Sequence, residues 1–166
     1  METEWIKKAA SQYVNDLNAK RREYELNSRK HEIERLRLNR IATEGPIVGA
    51  ELWASLQFII KSNGDEFNAE LGSNIVRTKA LGDGTFEVHV GEPGGAEKKA
   101  SLAYAPDTTI LSWQVFGGVK GTPLKVGIEP NTSPHQMTTN NPEFTDGLTY
   151  YKLERISQNI LTNLLS

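Results

Sequence analysis

Between Glu2 and Ala42 the chain contains no glycine and no proline, and most residues there are Ala, Glu, Lys, Arg, Leu, Asn and Gln. Most of these are good helix formers, so nothing local interrupts a helix. The stretch predicts one long helix, closed at Gly45-Pro46, where glycine frees the backbone and proline removes a donor. At about 1.5 Å per residue it extends roughly 60 Å, more than a compact body of this size needs. Part of it is expected to project or to pack on another chain. Charge divides at the same place: the segment to Ala42 carries +3 and the remainder −5. The expected organisation is a helical arm over 1–43 and a domain over 44–166.

The length of 166 residues suits one domain with a little to spare. With 37% hydrophobic and 24% charged residues the chain can bury a core and is not expected to be disordered. It has no cysteine, which excludes disulfides, thiol nucleophiles and Cys-ligated zinc. His31, His89 and His135 are scattered, so no His-based metal site and no cofactor are expected. No run reaches the roughly 18 apolar residues of a membrane span, and the first residues lack a secretory apolar stretch. The expectation is a soluble, cytoplasmic protein.

After Pro46, Leu52, Trp53, Leu56, Ile59 and Ile60 predict a second, core-facing helix to residue 62. Asn63-Gly64 is expected to stop it, with Asp65 capping a short turn through Phe67 and Leu71. Beyond Gly72, alternating segments predict strands at Asn74–Leu81, Thr85–Gly91, Lys98–Ala105, Thr108–Phe116 and Pro123–Glu129. The joints between them are short and rich in Gly, Pro and Asp, which favours antiparallel hairpins. Phe86, Val88, Val90, Leu102, Tyr104, Leu111, Trp113, Val115, Leu124, Val126 and Ile128 share one face. Glu87, His89, Ser101, Ala103, Ser112, Gln114 and Lys125 take the other, which reads as polar. The polar stretch 130–147 is expected to be a long loop. Tyr150 and Tyr151 fit a last strand or a helix start. Leu153, Ile156, Ile160, Leu161, Leu164 and Leu165 predict a closing amphipathic helix. The fold class is α+β: a long N-terminal helix, then an α-β5-α body whose antiparallel meander is covered on one face by helices.

The arm carries the most suggestive chemistry. At about 100° per residue, Arg22, Arg29, Lys30, Arg37 and Arg40 share a sector with Leu26 and Ile33. Such a basic stripe can meet phosphates, anionic lipid or an acidic protein groove. Glu25–Arg29, Glu32–Arg35 and Glu34–Arg37 are spaced for intrahelical pairing, which accounts for many of the charges without a partner. Ala10, Val14, Leu17, Arg21, Tyr24, Ser28, His31, Arg35 and Leu38 form a heptad seam that is apolar only in its first part.

The expected function is therefore a non-enzymatic interaction or assembly module, with a protein partner or a further copy meeting the arm. Its contact residues are Val14, Leu17, Arg22, Tyr24, Leu26, Arg29, Lys30, Ile33, Arg37 and Arg40. Nucleic acid is expected to bind weakly at most. An alternative is a ligand-binding protein or enzyme with a pocket between the sheet and 130–147, lined by His89, Gln114, Lys125 and His135. No nucleophile, phosphate-loop or EF-hand pattern supports a named chemistry.

Overall fold

The computed structural model describes residues 3–92 and 94–166, so Met1, Glu2 and Pro93 of the second hairpin joint lie outside it. The chain is α+β, with a long N-terminal helix, a seven-stranded antiparallel sheet and a C-terminal helix. Helix α1 spans Glu4–Leu71 and continues through both of the stops expected from sequence. The two predicted helices are one, because the glycines read as caps lie on its buried face. Gly45, Gly49, Leu56, Ile60 and Gly64 are its buried residues, spaced by four or seven. A Cβ on Gly49 would come within 2.2 Å of the Tyr104 hydroxyl, and one on Gly64 within 2.7 Å of Val76 Cγ1. These glycines let the helix backbone lie close against the sheet, which outweighs their low helix propensity. Pro46 costs the helix a hydrogen bond, by about 3 kcal/mol in an ordinary interior. The helix ends where Gly72 turns to φ +67°.

The sheet follows chain order: β1 (Val76–Ala80), β2 (Thr85–Val90), β3 (Lys98–Ala105), β4 (Ile110–Val115), β5 (Leu124–Ile128), β6 (Pro142–Thr145) and β7 (Tyr150–Tyr151). Every neighbouring pair is antiparallel, with Phe86 opposite Leu102 and Leu102 opposite Trp113. Five strands match those expected, Tyr150–Tyr151 takes the first of its two readings as a last strand, and β6 is additional. The stretch 130–147 is therefore not one loop, because Pro142–Thr145 pairs with Lys125–Ile128. Phe144 of this short strand is fully buried.

The alternation read from sequence sets the two faces. Val88, Leu102, Leu111, Val126 and Phe144 join Leu56 and Ile60 of α1 and Ile156, Ile160 and Leu164 of α2 (Leu153–Leu165) in one core. Trp53 stacks on Tyr104 with ring centroids 5.9 Å apart and meets Phe86 edge-on. Tyr104 in turn meets Phe144 edge-on, so aromatic contacts link the helix to strands β2, β3 and β6. The Asn63 side chain of α1 donates to the fully buried Ser157 hydroxyl of α2 at 2.8 Å.

Contacts divide the chain into two compact units. One comprises the residues to Asn39 with Pro130–Thr139. The other comprises Arg40–Glu129 with Asn140–Ser166 and contains the sheet and its covering helices.

Candidate interaction surface

In the first unit, no described residue between Glu4 and Asn39 is buried. The stretch nevertheless carries large apolar side chains in the open: Trp5, Tyr13 and Tyr24 are 67%, 69% and 75% exposed, and Ile6, Val14, Leu17, Leu26 and Leu38 about half. At about 100° per residue, Ile6, Ala10, Tyr13, Leu17 and Tyr24 run in one line, flanked by Trp5 on one side and Val14 on the other. Ala10, Val14, Leu17 and Tyr24 belong to the seam read from sequence. Trp5, Ile6 and Tyr13 were outside it, and their exposure moves the middle of the band towards Ile6 and Tyr13.

The basic stripe on the opposite side is partly occupied by its own unit. Ile33 and Leu36, with Tyr24, Arg29, Glu32 and Met137, line a hollow of 480 Å³. Two of the intrahelical pairs expected from spacing are present: Arg35 holds Glu32 at 2.6 Å and Arg37 holds Glu34 at 2.5 Å. Each arginine lowers its partner's carboxyl pKa, chiefly through the hydrogen bond. Arg40, in the second unit, pairs with Glu44 at 2.8 Å and reaches the Asn140 carbonyl. Arg22 and Lys30 are exposed. His135 belongs to the first unit, and its Nδ1 is buried without a hydrogen-bond partner.

The open face of the sheet carries a chain of charged side chains across β1, β2 and β3, joined through His89. Arg77 donates to Glu97 and to the Gly91 carbonyl; His89 stands between Glu97, at 3.5 Å, and Glu87, at 3.0 Å. Lys99 holds the second Glu87 oxygen at 2.8 Å and lies over the Phe116 ring. The Glu87 carboxyl is lowered by Lys99 first and His89 second, and that of Glu97 chiefly by Arg77. Further along this face, Ser101, Ser112, Gln114 and Lys120 border a hollow of 300 Å³. Gln114 is the only one of the four ligand-binding candidates in its lining. His89 sits in the charge chain, and Lys125 pairs in register with Ile110 and Thr145.

Among the described residues no group of three or more His, Asp or Glu could hold a metal ion. None of the described helices is long and apolar enough to cross a membrane. No protein family, curated protein or solved structure matches the chain.

Proposed function

We propose that the chain is a non-enzymatic assembly module whose N-terminal helix docks on protein through the band from Trp5 to Tyr24. The observation that carries this reading is the exposed apolar line Ile6, Tyr13, Leu17 and Tyr24 on a stretch with no buried residue of its own. Isolated helices gain most of their stability from packing an amphipathic face, and among the described residues Ile6, Tyr13, Leu17 and Tyr24 of this face are 45% to 75% exposed. Each large apolar side chain contributes about 1.5 to 3 kcal/mol when fully removed from water, so several on one line favour a covering surface. Contiguous exposed apolar surface of this kind marks interaction sites.

A photo-crosslinking residue in place of Tyr13, in the full-length chain inside the producing cells, tests the reading. Covalent protein adducts are expected at Tyr13. They should fall at least about tenfold in an Ile6→Ser, Leu17→Ser background, since both side chains share the band. The melting midpoint should stay unchanged. Adducts to lipid alone, no adducts, or protein adducts indifferent to the two substitutions would overturn it.

A further inference from the structure

We infer that the surface covering this band is the same helix of a second copy of the chain, lying parallel and in register. The inference rests on the docking reading above and names its partner. Ile6, Ala10, Tyr13 and Leu17 follow one another by four, three and four residues, and Tyr24 comes seven later. That is a period of 3.5, the spacing that keeps one stripe facing a like helix as the two wind around each other. A helix seated in a globular groove uses similar anchors over one or two turns, so the charged residues beside the line carry the choice of partner.

The residues flanking the line choose the direction. In a parallel, in-register pair, the position before one seam residue meets the position five further along the other helix. Asp16 of one copy then faces Arg21 of the other, and symmetry makes this contact twice. Among the described residues neither is committed to an ion pair; the Asp16 carboxylate accepts from the neighbouring Gln12 amide, at 3.2 Å. An antiparallel pair centred on the same line would place Asp16 against Asp16 and Lys7 against Arg21. Both contacts are between like charges. Lys20 is the one charged residue on the line, and its stem can cover apolar surface while the ammonium group reaches solvent. A slip of one heptad would leave Ile6 and Ala10 of one helix, and Tyr24 of the other, without a facing layer.

The chain has no cysteine, so a single introduced thiol reports on its own surroundings. Ala10→Cys and Leu17→Cys, made separately in the full-length chain, should each form disulfide-linked dimers under mild oxidation. Arg22→Cys, on the far side of the helix, should link at least about tenfold more slowly, because a disulfide needs Cα atoms within roughly 7 Å. If Ala10→Cys links only when mixed with Lys20→Cys, the helices are antiparallel; the inference is then wrong while the docking reading stands. If the photo-adduct at Tyr13 is another protein and neither thiol links, the second copy is excluded as partner, again without harm to the docking reading. Linking of all three variants at equal rates would show random collision and overturn the inference.

Discussion

The side-chain amide of Asn68 pairs with both backbone polar groups of Val76: its Nδ2 donates to the carbonyl and its Oδ1 accepts from the N–H, each at 2.8 Å. The Ile75 N–H is held by the same oxygen at 2.9 Å. Val76 begins β1, which stands at the end of the strand order and, among the described residues, has β2 as its one partner strand. Asn68, in the last turn of α1, therefore occupies the place a further strand would take and blunts an exposed sheet edge.

Asn68→Ala removes that substitute partner. The unpaired groups should cost about 1 to 3 kcal/mol. Urea unfolding is expected to shift accordingly, and the Val76 amide to exchange its hydrogen faster than the Val88 amide; equal protection of Val76 in both proteins would refute the role.

Gly49 and Tyr104 make a second pair in which space is the issue. The Tyr104 hydroxyl is buried without a hydrogen-bond partner, and that burial raises its pKa. Tyr104→Phe removes an unsatisfied polar group, so stability should stay level or rise by about 1 kcal/mol. Gly49→Ala drives a methyl into that oxygen and should cost at least about 1 to 3 kcal/mol. In the double variant part of the Gly49→Ala loss should return, because the 2.2 Å contact goes while the Val126 methyl at 3.2 Å remains. Strict additivity in a thermal-melt cycle would count against the contact.

The charge chain on the open face makes an acid-sensitive clasp between β1, β2 and the hairpin residue Glu97. Glu87 and Glu97 have lowered pKa values, so their contribution is complete above the ordinary carboxylate range and is lost as pH falls through the lowered values. The protection of the Gly94–Lys98 amides, measured against their intrinsic exchange rate at each pH, is expected to fall on acidification below about pH 4, well before that of the core strands. Glu97→Gln should show the lower protection already at neutral pH. Hairpin protection that does not change with pH would refute the clasp.

Asn63 and Ser157 tie α1 to α2 inside the core. Ser157→Ala leaves the Asn63 donor to solvent at its half-buried position, and a loss of about 1 kcal/mol is expected in chemical unfolding. Ile160→Ala, which opens a cavity at a fully buried site, should cost about 2 to 5 kcal/mol. A reversed order of the two would mean that the tie, rather than packing, fixes α2.

The sheet was legible because period-two alternation and turn residues agree at each of its first five strands. Pro142–Thr145 was hidden for the opposite reason: four residues inside a polar stretch, with Phe144 as the only large apolar signal, are too few to show a period. The glycines misled. Gly45 and Gly64 resemble helix ends when taken with Pro46 and Asn63, yet together with Gly49, Leu56 and Ile60 they keep helical spacing. A glycine on the apolar stripe marks close approach as readily as an end. On the candidate surface, Val14, Leu17 and Tyr24 were found through the heptad pattern. Trp5, Ile6 and Tyr13 were missed because the seam was stepped from Ala10 to Val14 rather than to Tyr13, which carries its backward extension to Lys7 instead of Ile6.

Strand order equal to chain order has a consequence for synthesis on the ribosome. Each strand emerges directly after the one it will pair with, so the sheet can lengthen by local hairpin closure while translation continues. The α1 half of its cover is already made by then. The other half follows all seven strands in the chain, so Ile156, Ile160 and Leu164 arrive when every strand they cover already exists. Until those residues clear the exit tunnel, at about 5 to 20 residues per second, part of the apolar face has no cover. Arrival of α2, rather than sheet formation, then sets the moment at which the nascent sheet stops presenting an apolar surface to chaperones.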